Sequence, residues 1–172
     1  MALISCYECA KVISDQAAAC PHCGAPEGGE RFHISYHENG QVKERATYRH
    51  KEMHGLWVCY YENGQPRWRR GYRDGEKHGS HKEYYEESGQ VRVKRTYRDG
   101  QLHGLWEQYY EDGVLKSKYR YKDGVRIAPV EYYHENGVLK EKMGINEDET
   151  SYSMGMYDEE GRLIESKEYK SS

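Results

Sequence analysis

The chain is 172 residues long and contains one phenylalanine, four prolines and no long aliphatic run. No apolar stretch approaches membrane-spanning length and no N-terminal segment resembles a signal peptide, so a cytoplasmic protein is expected. The scarcity of aliphatic residues excludes a thick, dry core. No helix-period apolar pattern is present either, so no amphipathic helix is available to cover a sheet. A nucleophile elbow, a phosphate-cradling glycine loop and a His-Glu-x-x-His motif are all missing, and the chain reads as non-enzymatic. With a net charge of −3 the whole molecule is no strong polyanion binder.

What the chain has in quantity is tyrosine and glycine, 18 of each, and 32% charged residues. Tyrosine buries its ring while its hydroxyl stays wet, which suits a thin, half-exposed sheet. The near-neutral total conceals a gradient. Residues 66–98 carry ten basic and five acidic side chains, whereas 131–172 carry five basic and eleven acidic.

Cys6, Cys9, Cys20 and Cys23 are spaced C-x2-C-x10-C-x2-C, followed by Gly24. Two residues between thiols allow a tight turn to aim both sulfurs at one ion, and four thiolates complete a tetrahedral zinc shell. All four positions are filled by protein, so one structural Zn2+ is expected, and its binding should coincide with folding. A disulfide pair or a redox CxxC suits these spacings less well without a secretory signal. His22 lies inside the second knuckle, but the set is complete without it. Cys59 is far away and reads as a packed side chain. LISCYECAKVISDQAAACPHCGAP resembles the short zinc ribbons found at bacterial protein N-termini, with Tyr7 where such modules usually have proline.

From residue 32 the chain repeats itself. Gly40, Gly64, Gly89, Gly113, Gly137 and Gly161 are 24 or 25 residues apart, and each has a tyrosine four positions earlier: Tyr36, Tyr60, Tyr85, Tyr109, Tyr133 and Tyr157. Two positions after the glycine stands Val42, Pro66, Val91, Leu115, Leu139 or Leu163; eight after stands Tyr48, Tyr72, Tyr97, Tyr121, Ile145 or Tyr169. Aromatic-rich runs around Asn-Gly, Ser-Gly or Asp-Gly predict a hairpin per unit. Two strands per unit make about twelve strands, with His54-Gly55, His78-Gly79 and His103-Gly104 shaping the turns between hairpins. The expected fold is all-β: an elongated single-layer antiparallel sheet of about six repeated hairpins (32–172), behind a small zinc ribbon (1–26) and a linker (27–31).

If Glu-Asn-Gly forms a three-residue loop with a glycine bulge, both tyrosines and the aliphatic position share one face; a two-residue loop would separate them. The first choice gathers the apolar positions and is preferred. It leaves a basic ladder on the other face, with Lys43, Arg67, Arg92, Lys116 and Lys140 three after the glycine and Arg45, Arg69, Lys94, Lys118 and Lys142 five after. Such a ladder is either a solvated face that keeps a thin sheet from stacking or a surface for acidic groups. Trp and Arg are typical interface anchors, so Trp68, Arg69, Arg70, Arg92, Lys94 and Arg95 are the candidate partner-binding residues.

YYENG, a following strand, YRDG and HG, in that order, resemble the bacterial variant of the MORN repeat, well over 32–142 and weakly beyond. The resemblance implies a hairpin array. Proteins of this kind are often grouped as YwqK-type antitoxins, which implies a cognate protein toxin as partner and a neutralising, immunity-type function. The alternative from another class is a nucleic-acid binder using the zinc ribbon and the basic, aromatic face. A role for the basic face on anionic lipid lacks the support of an amphipathic helix or a lipidation motif.

Overall fold

A computed structural model describes residues 3–5, 11–14, 17, 21–22, 31–49, 52–145 and 151–170. Two short antiparallel strands, β1 (Leu3–Ser5) and β2 (Val12–Ser14), pair by themselves. The segment joining them holds Cys6 and Cys9, which with Cys20 and Cys23 lie outside the described residues. Every other strand described belongs to one sheet, and no helix occurs among these residues.

That sheet is an antiparallel meander. Its strands are β3 (Arg31–Tyr36), β4 (Val42–Arg49), β5 (Glu52–Met53), β6 (Gly55–Tyr60), β7 (Pro66–Arg73), β8 (Glu76–Tyr84), β9 (Val91–Arg98), β10 (Gln101–Tyr109), β11 (Leu115–Lys122), β12 (Val125–Tyr133), β13 (Leu139–Ile145), β14 (Ser151–Tyr157) and β15 (Leu163–Lys170). Apart from two-residue β5, which pairs β4, sequence order is spatial order. Twelve strands lie on the path, as the repeat count predicts.

Two loop types alternate along the sheet's long sides. On one side, Tyr61 N–H donates to the Gln65 carbonyl at 2.8 Å and Gly64 N–H to the Tyr61 carbonyl at 3.0 Å. This closes the expected three-residue loop, with Gly64 at φ +82°, a value only glycine adopts cheaply. On the other side, Asp-Gly pairs form two-residue turns with both φ values positive, such as Asp74 at 48° and Gly75 at 80°. The preceding His-Gly dipeptides brace them: His54 Nδ1 lies 3.0 Å from Asp74 Oδ1, His78 3.3 Å from Asp99 and His103 3.2 Å from Asp123.

Successive units are tied at the loop side. Tyr61 Oη donates to the Tyr84 carbonyl at 2.9 Å, Tyr85 Oη to Tyr109 at 2.8 Å and Tyr110 Oη to Tyr133 at 2.9 Å. His37 and His134 reach the Tyr60 and Tyr157 carbonyls in the same way. Such bonds let each unit stabilise its neighbour, as a one-dimensional repeat requires.

The face assignment differs from the sequence expectation. Tyr60 pairs with Pro66 and shares its face, as expected, but Cys59 pairs with Trp68, leaving Arg67 as an extra residue. The same slip makes Lys43, Arg92, Lys116, Lys140 and Ile164 bulge residues. Because side chains alternate with period two, one inserted residue sends the rest of the strand to the opposite face. Tyr72, Tyr97 and Tyr121 therefore lie opposite Tyr60, Tyr84 and Tyr109, with the glycines of the His-Gly dipeptides as cross-strand partners. In the third unit the strand ends at Tyr84, which pairs with Val91; Tyr85 belongs to a loop one residue longer. The core is correspondingly thin. Ala46, Val58, Val93 and Val130 are its buried apolar residues among those described.

Candidate functional site

The bulges gather one face into an aromatic surface. Trp57 meets Trp68 edge-on at 4.8 Å between ring centroids and Tyr72 at 6.0 Å. Tyr72 continues to His81 at 5.8 Å, and His81 to Tyr97 at 4.4 Å. Farther along, Trp106, Tyr119 and Tyr132 form a second cluster at 4.7 and 5.8 Å. Edge-on and tilted ring pairs of this kind contribute about 1 kcal/mol each beyond area burial.

One row of this face runs Trp57, Arg70, His81, Arg95, Trp106, each residue the cross-strand partner of the next. His81 is only 2% exposed, and its Nε2 lies 2.8 Å from the Gly71 carbonyl. Desolvation, reinforced by Arg70, Arg95 and Lys77, pushes its pKa down to about 4 against the Gly71 bond, which favours the proton. At neutral pH the ring is uncharged and donates Nε2–H to that carbonyl.

Beside this row the arginines divide into two states. Arg92 donates to Glu83 at 2.8 Å, and Arg95 donates to the other oxygen of the same carboxylate. Arg70 and Arg67 meet no carboxylate within 4.0 Å among the described residues. The Arg70 guanidinium instead lies 4.1 Å from the Trp68 ring centroid, and that of Arg67 5.8 Å from Tyr61. Arg67, Arg70, Arg92 and Trp68 line a cleft of about 460 Å³ that Glu83 and Glu86 also border. Two guanidiniums held on rings yet free of ion pairs are preorganised to receive hydrogen-bond acceptors.

Of the six residues expected to bind a partner, the structure brings Trp68, Arg70, Arg92 and Arg95 together. It separates Arg69 and Lys94, which lie on the opposite face: Arg69 is 5.9 Å over Tyr84, and Lys94 Nζ is 3.1 Å from Glu107. A hydrogen bond to Glu107 raises the Lys94 pKa. Sequence reasoning placed Arg67 in the basic ladder and not among the anchors, and it missed His81. The signal for His81 is its equivalence to Trp57 and Trp106, hidden by the extra loop residue of the third unit. Cys59 is free, and burial pushes its thiol pKa up. No group of three His, Cys, Asp or Glu among the described residues is arranged to hold a metal ion.

A meander of like hairpins, each braced by its neighbours and with no second layer among the described residues, defines a repeat array whose product is binding surface. The model of the MORN repeat variant family matches residues 33–50, 53–67, 77–99, 102–123 and 128–144. These segments cover more than half of the chain, and the protein belongs to that family, whose members are generally non-enzymatic binding modules. A comparison with curated proteins finds no match. No helix among the described residues is long and apolar enough to cross a membrane.

Proposed function

We propose that this repeat array is an antitoxin or immunity-type protein that binds and neutralises a protein toxin through its aromatic face. The observation that carries the reading is Arg70 stacked on Trp68 and Arg67 beside it, neither with an ion pair among the described residues. Buried Trp and Arg anchors dominate protein interfaces, and truncating one costs about 2 kcal/mol, roughly thirtyfold in affinity. The test is a tagged purification from the native host, followed by reconstitution of any stoichiometric protein with the purified chain. Trp68→Ala and Arg70→Ala should weaken the reconstituted complex roughly thirtyfold while the chain stays folded, at a modest cost in stability. Co-expression should relieve growth arrest caused by the partner, and the variants should not. Nuclease-resistant nucleic acid that leaves with salt, in place of a protein, would transfer the assignment to a nucleic-acid binder.

The four thiols at Cys6, Cys9, Cys20 and Cys23 form part of the same proposal as holders of one structural zinc. Four soft thiolates suit that ion, and the pairing of β1 with β2 brackets the first CxxC pair. Metal analysis should give one zinc per chain, released on thiol modification and absent after Cys6→Ser with Cys20→Ser. Full metal content in that double variant would reject the ligand set.

A further inference from the structure

The face opposite the aromatic surface carries a row of side chains in unbroken register across the sheet. In the C-terminal half it alternates in sign: Lys94, Glu107, Lys118, Glu131 and Lys142 are successive cross-strand partners. Lys94 Nζ lies 3.1 Å from Glu107, and Lys142 Nζ 3.4 Å from Glu131. This half is locally neutralised, as a solvated face should be.

The N-terminal half of the same row runs Ile34, Arg45, Val58, Arg69 and Lys82 before reaching Lys94. Where the later units place glutamate, these units place Ile34, Val58 and Lys82. None of Arg45, Arg69 and Lys82 meets a carboxylate within 4.0 Å among the described residues. Lys82 moreover sits directly opposite Arg69 on one side and Lys94 on the other. Like charges directly opposite one another destabilise a sheet, and Glu107 answers Lys94 while no carboxylate among the described residues answers Arg69 or Lys82, so this half of the row is a local conflict that the fold relieves only in part.

Its surroundings are apolar and open. Phe32, Ile34 and Leu56 are 61%, 41% and 48% exposed, and with Val58 and Tyr60 they line a groove of about 300 Å³ that Arg45 and Arg69 also enter. We infer that this groove and cationic strip form a second docking surface for an acidic protein segment with interspersed apolar side chains. Adjacent strands are about 4.8 Å apart, so the cations stand about 5–10 Å from one another, within the spacing of carboxylates two or three residues apart on an extended chain. The exposed Phe32, Ile34 and Leu56 favour a peptide over a phosphate backbone, which would leave them in water. This surface does not depend on the aromatic face, and a partner spanning both sides of the thin sheet is not required.

The experiment uses the full chain and a fluorescein-labelled peptide of about ten residues alternating Glu and Val, read by anisotropy at low and high salt. The wild-type chain should bind it, weakening with salt. Lys82→Glu restores the sign alternation, and it should raise the melting temperature while weakening the peptide by about tenfold or more. Arg69→Glu should weaken it similarly, whereas Trp68→Ala and Arg70→Ala, on the other face, should leave it unchanged. The inference is overturned if the peptide does not bind, if a Gln-for-Glu peptide binds as well, or if Lys82→Glu binds like wild type. It is equally overturned if Lys82→Glu abolishes self-association seen by light scattering while peptide binding is absent, since a second copy would then be the occupant.

Discussion

His81 offers a measurement of the aromatic face that needs no partner. In the folded protein its pKa is pushed down to about 4 from 6.5, so below pH 6.5 the unfolded chain holds more protons than the folded one. Its contribution to stability is therefore complete above pH 6.5, falls as pH drops toward 4, and is constant below that. One proton over this window corresponds to about 3 kcal/mol in full, and to about 2 kcal/mol between pH 7 and pH 5. The loss has a structural cause: a protonated ring would put a third cation in line between Arg70 and Arg95 inside a desolvated site. Urea titrations of wild type and His81→Phe at several pH values isolate this contribution, because carboxylates titrating elsewhere affect both proteins alike. The variant loses the bond to the Gly71 carbonyl and starts less stable, but the gap between the two proteins should shrink by about 2 kcal/mol on going from pH 7 to pH 5. Parallel profiles, or an NMR titration placing the His81 pKa near 6.5, would refute the reasoning.

The backbone makes two further predictions. A Cβ on Gly71 would stand 2.3 Å from the His78 carbonyl oxygen, a backbone atom that cannot step aside, so Gly71→Ala should cost about 3 kcal/mol. Gly40→Ala meets nothing within 4 Å and strains only a φ of +82°, so it should cost about 1 kcal/mol; equal melting temperatures for the two variants would contradict this account. The tyrosine ties between units should each contribute about 1 kcal/mol. Tyr61→Phe and Tyr110→Phe remove bonds of 2.9 Å that join different pairs of units, so chemical denaturation of the double variant should show additive losses.

The period of 24 or 25 residues, the hairpin in each unit, the three-residue Glu-Asn-Gly loop and the count of strands were all legible in the sequence. Each is encoded locally: a glycine that must take positive φ, an Asn or Asp beside it, and aromatic runs on either side. Of the candidate partner-binding residues, Trp68 and Arg70 come from one stretch and Arg92 and Arg95 from the next unit, and the register brings the four onto one face. What the sequence by itself did not determine was the facing of the side chains. One bulge residue after each loop, Arg67 in the second unit and Arg92 in the third, reverses the alternation for the rest of its strand, and nothing in the residue pattern distinguishes a bulged position from a paired one. Only the tertiary structure placed Tyr72 beside Trp57 and His81 between two arginines. It alone also shows that Lys94 and Lys142 have their charges met across the sheet while, among the described residues, Arg45, Arg69 and Lys82 do not, because charge compensation in a sheet is a relation between strands, set by register.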